Sequence, residues 1–123
     1  MYPMAQWLRS DDDLSAVAAF VASLPKAKDA TSVGGDATRG ATLFANCAAC
    51  HGVDAKGNQA LGAPPLRGTS EWYLLTQLRN FKAGIRGGNP KNANAVMMRG
   101  MSAMLADEQA IRDVIAHIMT LDN

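Results

Sequence analysis

Apolar residues recur every three to four positions in four separate runs, and no segment sustains a period of two. The first run is Leu14, Val17, Ala18, Val21 and Leu24. Ser10-Asp11-Asp12-Asp13 opens it with a capping oxygen and carboxylates over the positive end of the helix dipole, and Pro25 stops it. Residues 26–35, KAKDATSVGG, are small and polar and read as a linker. Asp36 caps a second helix whose stripe is Gly40, Leu43, Phe44 and Cys47; the glycine lets another backbone approach while Phe44 packs beside it. Residues 52–69 are rich in Gly, Pro, Asn and Asp and predict an irregular loop. Ser70-Glu71 starts a third helix that buries Tyr73, Leu74, Leu78 and Phe81, with Gly84 past its end. Residues 84–101, GIRGGNPKNANAVMMRGM, predict a second long loop. The last helix begins near Asp107 and buries Ile111, Val114, Ile115, Ile118 and Leu121. The expected fold is all-α with two long loops.

The chain also resembles itself. Without gaps, residues 1–24 align with 98–121: Met1 with Met98, Met4 with Met101, Leu8 with Leu105, Val17 with Val114, Ala19 with Ala116 and Leu24 with Leu121. Leu14/Ile111, Val21/Ile118 and Asp11/Glu108 are conservative pairs. Two amphipathic helices can resemble each other by chance, but the match also fits a segment 1–24 that is the tail of a preceding copy.

At 123 residues the chain has room for one compact domain and a short appendage. Aromatic residues make up only 6% of it, so its own side chains offer few large groups to fill an interior, and a bulky buried cofactor would suit that shortage. Twelve Lys and Arg against eleven Asp and Glu leave a net charge of +1, which removes the whole-chain electrostatic case for a nucleic-acid binder. No apolar run approaches the roughly 18 residues of a membrane-spanning helix, and MYPMAQWLRSDDD does not read as a targeting segment. Charge is unevenly spread. Residues 67–99 hold Arg67, Arg79, Lys82, Arg86, Lys91 and Arg99 against the single acid Glu71, a local basic patch.

Both cysteines lie in Cys47-Ala48-Ala49-Cys50-His51, and no other cysteine exists to pair with either. This is the attachment pattern of c-type haem: thiols one helical turn apart reach the two vinyl groups of a porphyrin, and the following imidazole reaches its iron. A thioredoxin-like dithiol shares CxxC but sits in a βαβ setting, absent here, and does not need His51. A zinc site would want four ligands, and His117 completes no second ligand cluster. For the remaining axial position, Met97, Met98, Met101 and Met104 lie 46 to 53 residues beyond His51. Thioether sulfur favours ferrous iron and raises the reduction potential relative to a second His. Methionine also serves as core filler, so one ligand among the four is expected; His117 reads as a packing or surface residue.

CAACHG, the APPL loop, YLLTQLRNFKAG, MMRGM and the closing helix together resemble a class I cytochrome c domain. The likeness covers residues 36–123 and is closest to the second domain of tandem two-haem bacterial cytochromes. It implies helices wrapped around one covalent haem c, with Cys47, Cys50 and His51 holding the cofactor and Met98 completing the axial pair with His51. Met98 precedes Arg99-Gly100 and stands about seven residues before Leu105, as the family's ligand does; Met101 is the second choice. The resemblance further implies that the carbonyl of Pro64 or Pro65 accepts a hydrogen bond from His51, and that Gly40 and Phe44 cross the last helix near Val114 and Ile118. Residues 1–28 depart from a single-domain pattern: they resemble the tail of a preceding domain, with 29–35 as linker. Left alone they expose apolar residues, so a dimer through this helix is an expectation.

The implied function is single-electron transfer to redox proteins that dock at the haem edge, without catalysis. The alternatives are a haem with a weak sixth ligand, acting in gas binding or peroxide reduction, and an electron-entry module of a larger redox complex. Haem attachment implies export, in bacteria to the periplasm.

Overall fold

The computed structural model describes residues 2–25 and 32–121. Its helices are α1 (Tyr2–Ala5), α2 (Asp11–Ser23), α3 (Ala37–His51), α4 (Glu71–Lys82), α5 (Ala93–Ala103) and α6 (Glu108–Thr120), with a 3-10 turn at Gln59–Leu61. No strand occurs among the described residues, so the all-α expectation holds. Met1 and residues 26–31, the front of the expected linker, lie outside the described residues.

Local chemistry sets most of the helix starts. The Ser10 hydroxyl accepts from the Asp13 amide while the Asp13 carboxylate accepts from the Ser10 amide, a reciprocal cap for α2. Asp36 caps α3 by accepting from Thr38 and Arg39, and Asp107 caps α6 by accepting from Ala110. The centre of the fold is the crossing of α3 and α6. A Cβ on Gly40 would lie 1.9 Å from the Asp113 carbonyl oxygen and 2.9 Å from the His117 Cβ, so the two backbones touch where only hydrogen fits. Four residues on, the Phe44 ring lies 5.2 Å from that of His117. Leu74, Leu75, Leu105, Ile111, Val114, Ile115 and Ile118 close the core around this crossing.

A buried carboxylate locks the same junction. Asp113 accepts from the Asp36 amide at 2.8 Å, from Gln109 Nε2 at 2.9 Å and from Arg39 Nη2 at 3.1 Å. These partners, the Asp36 amide first, then Gln109 and Arg39, hold its carboxyl below the usual carboxylate range. Val33 is tied down on both sides: its amide donates to Glu71 Oε2 at 2.6 Å and its carbonyl accepts from Arg112.

Two expectations need correction. Residues 84–101 are not one loop: helix α5 starts at Ala93, with the Asn92 side chain accepting from the Ala95 amide. The Gly, Asn and Pro residues before it are genuine breakers, but they end at that cap. On α4 the inward residues are Leu74, Leu75 and Phe81, whereas Tyr73 is exposed and meets Trp72 edge-on.

Helix α2 has the bounds that the internal repeat requires, since Asp11–Ser23 and Glu108–Thr120 are both 13 residues long and in the same register. The face that α6 buries is bare on α2: Leu14 is 50% exposed, Val21 59% and Phe20 64%. Among the described residues no helix is long and apolar enough to cross a membrane.

Candidate functional site

Cys47, Cys50 and His51 occupy the last turn of α3. Both cysteines are free and partly buried. Burial pushes the Cys47 thiol up; its backbone hydrogen bond opposes this, and the neighbouring Cys50 adds to the rise. The pair also stands at the negative end of its helix, where a thiolate is disfavoured. A dithiol redox centre requires the reverse, a depressed pKa at a helix N-terminus, so this arrangement does not suit one. Among the described residues no group of three or more His, Cys, Asp or Glu could hold a metal ion, so a zinc site lacks its ligands.

His51 is buried, and its Nδ1 lies 2.8 Å from the carbonyl oxygen of Pro64. A carbonyl only accepts, so Nδ1 carries the hydrogen and Nε2 presents its lone pair. Among the described residues no protein group bonds Nε2. Of the two prolines expected here, Pro64 makes the bond; Pro65 instead lies against Gly57, where an added Cβ would sit 2.6 Å from the Pro65 nitrogen. The loop between His51 and these prolines is folded back on itself. The Gly57 amide donates to the His51 carbonyl at 2.7 Å, and the Ala55 carbonyl accepts from the amides of Leu66 at 2.8 Å and Arg67 at 3.2 Å. Ala55 is fully buried with φ +56°, and nothing in its sequence context marked it as core.

The loop meets α5 directly, because a Cβ on Gly62 would fall 2.3 Å from the side-chain Nδ2 of Asn94. On α5 and at its C-cap, Met104, the four methionines are no longer equivalent. Met98 and Met101 are partly buried on the stripe that continues to buried Ser102 and Leu105, while Met97 and Met104 are 60% and 58% exposed. His117 is engaged in packing against Phe44 at the α3–α6 crossing.

The donor set fits a haem: two unpaired thiols on one turn, a buried imidazole with one nitrogen anchored and the other free, and a thioether-bearing helix against the same loop. Cys47, Cys50 and His51 stand in the CxxCH spacing of one covalently bound haem c. Fold and site together define a class I c-type haem domain.

The cytochrome c profile matches residues 37–122, and the chain belongs to the cytochrome c family. It is 41% identical to cytochrome c4 of Stutzerimonas stutzeri over 85 residues, covering 68% of this chain and 40% of that protein. It is 35% identical to the thiosulfate dehydrogenase electron acceptor of S. stutzeri A1501 over 130 aligned positions, covering 96% of this chain and 58% of that one. Among solved structures, reduced recombinant cytochrome c4 from Pseudomonas stutzeri superposes with a TM-score of 0.63 at 29% identity, over 94% of this chain and 62% of the other. The chain thus spans less than two thirds of the length of these relatives.

Proposed function

We propose that the chain is a non-catalytic single-electron carrier with His51 and Met98 as axial ligands. The observation that carries this reading is the hydrogen bond from His51 Nδ1 to the Pro64 carbonyl, which leaves Nε2 as the donor, made by a loop that also meets α5, the helix of Met98 and Met101, at Asn94. The haem, when bound, supplies a one-electron Fe(III)/Fe(II) couple. Cys47 and Cys50 tether it, so it cannot dissociate between partners. The Pro64 carbonyl orients the imidazole and strengthens its donation. Met98 fills the remaining position with a soft donor, which raises the potential and closes the site to small ligands. Met101, one turn further on the same stripe, is the second choice.

The name of the thiosulfate dehydrogenase electron acceptor, which aligns with almost the whole chain, supports a carrier that exchanges electrons with other redox proteins. The covalent haem supports an exported, periplasmic location, where thiols of the apoprotein are ligated. We read α2 as the counterpart of α6 from a preceding haem domain, its bare face made for a helix carrying the Gly40–Phe44 pattern; residues 36–123 are the haem domain of this chain. A homodimer through the same face is the alternative occupant, and light scattering on the 123-residue chain separates the two: a monomer removes the dimer.

Absorption spectroscopy tests the carrier. The oxidised protein is expected to show the weak far-red band of methionine sulfur on ferric iron and to resist carbon monoxide when reduced. Absence of the band with ready carbon monoxide binding favours a gas-binding or peroxide-reducing site instead. Met98→Ala should abolish the band and lower the potential; if only Met101→Ala does so, Met101 is the ligand.

A further inference from the structure

The first turn of α5 is held from two directions. From one comes the loop that anchors His51: Asn94 reaches it at Gly62, two residues before Pro64, whose carbonyl fixes the imidazole. From the other comes the turn after α4. A Cβ on Gly87, at φ +79°, would lie 2.4 Å from the Ala95 carbonyl oxygen and 2.9 Å from the Arg99 Cβ, so the backbone of this turn rests on the backbone of α5. The turn is itself fastened to α4, because the Arg86 amide donates to the Asn80 carbonyl at 3.0 Å.

The two contacts fall on neighbouring residues, and Met98 stands one turn further along. Ala95, Met98 and Met101 are partly buried and Ser102 is buried, so Gly87 meets α5 at the head of the stripe that carries the sulfur. Side chains of an α-helix lean toward its N-terminus, which sets Met98 back over the turn of Asn94 and Ala95. Beyond the other end of α5, Lys82 Nζ donates to the Leu105 carbonyl. With that end tied, the place of Met98 relative to His51 depends on where the first turn is held.

We infer that Gly87 and Asn94 are positioning residues for the Met98 sulfur: Gly87 lets the α4 turn bear directly on α5, and Asn94 ties the same turn of α5 to the loop of Pro64, so both axial donors are referred to one frame. The inference rests on the reading of Met98 as the ligand. A thioether is neutral, so no charge draws it to the metal and its bond depends on placement. Functional groups of this kind tolerate about 0.5 Å of misplacement. A methyl group on Gly87 demands twice that, since 2.4 Å from a carbonyl oxygen is about 1 Å short of the 3.4 Å at which ordinary contact begins. The obstacle is backbone, so α5 must shift as a body.

The test is Gly87→Ala in the holoprotein, beside Gly34→Ala, which takes the same methyl group at φ +72° with nothing within 4 Å. Gly87→Ala is expected to lose the far-red band, to bind carbon monoxide when reduced and to fall in potential. Its iron–imidazole Raman mode should not change, because the Pro64 contact is untouched. Gly34→Ala should keep the parent spectrum. Should Gly87→Ala fail to fold with haem, Asn94→Ala, at an exposed position and adding no bulk, should lose the band at a lower temperature than the parent while the far-ultraviolet melt stays in place. Three results would each overturn the inference: Gly87→Ala melting lower yet keeping its band and excluding carbon monoxide, Asn94→Ala holding the band to the parental temperature, or Gly34→Ala losing it equally. Hydrogen exchange separates the clamp from the ligand assignment. Amides of residues 96–99 should exchange about tenfold faster or more in Gly87→Ala than in the parent, in line with the cost of overpacking a tight contact. If the parent itself lacks the far-red band, the Met98 reading falls and the exchange rates alone decide the clamp, unchanged rates removing it.

Discussion

Replacing Gly40 by Ala adds one methyl group where, among the described glycines, an added carbon meets its nearest neighbour at the shortest distance. That carbon would lie 1.9 Å from the Asp113 carbonyl oxygen, about 1.5 Å inside the 3.4 Å at which ordinary contact begins. The obstacle is backbone, so no side-chain rotation relieves it; α3 and α6 must separate, and the core of Phe44, Val114 and Ile118 opens with them. Overpacking of a tight core costs about 1–3 kcal/mol, and a backbone clash belongs at the upper end. Ala is preferred to Gly inside a helix by about 0.5–1 kcal/mol, which offsets part of the cost. The net loss is about 2 kcal/mol. At ~4–8 °C per kcal/mol for a domain of this size, Tm should fall by roughly 8–16 °C. Gly100→Ala supplies the control: it lies inside α5 with nothing within 4 Å of its added carbon, so the same substitution should stabilise by about 0.5–1 kcal/mol. Thermal melts of both holoproteins, followed by far-ultraviolet circular dichroism and Soret absorbance, make the comparison. If Gly40→Ala melts at or above the parent temperature, the close-crossing argument is wrong.

Further outcomes follow from other parts of the structure. Gly57→Ala combines φ +82° with a carbon 2.6 Å from the Pro65 nitrogen, and should loosen the loop that anchors His51; resonance Raman is expected to show a weaker iron–imidazole mode, and an unchanged mode would count against the Pro64 contact. Asp113 has a folded pKa below its ordinary 3.8, so its stabilisation is complete above that value and drains away as pH falls through the lowered one. Acid titration of Asp113→Asn should therefore show a flatter loss of stability below about pH 4 than the parent. Cys47→Ser/Cys50→Ser should release its pigment into acidic organic solvent, while either single substitution should retain it through one thioether; release by the parent protein would end the covalent-haem assignment.

The features settled by residues near one another in the chain were readable without the fold. Ser10, Asp36 and Asp107 cap their helices through hydrogen bonds to amides two or three residues away, so composition at those points suffices. The CAACH turn needs only the helical spacing of Cys47, Cys50 and His51, and Gly40 announces a close crossing by lacking a side chain. Tertiary structure decided what depends on a neighbour far along the sequence. Helix α5 was hidden because Gly87, Gly88, Asn89 and Pro90 precede it and Gly100 lies within it, yet the Asn92 cap and packing against α4 let it form. Leu75 turns inward where Tyr73 was expected because the direction from which α4 meets α5 and α6, not its period, selects the buried face. Pro64 and Pro65 are equivalent as letters; the folding of the loop around Ala55 and Gly57 gives the carbonyl of Pro64 to His51. Four methionines of identical chemistry divide into two half-buried and two exposed because only one stripe of α5 turns inward with Ser102 and Leu105. Chemical identity and local hydrogen bonding are written residue by residue, whereas facing and burial are properties of pairs of elements and come into being only when the helices meet.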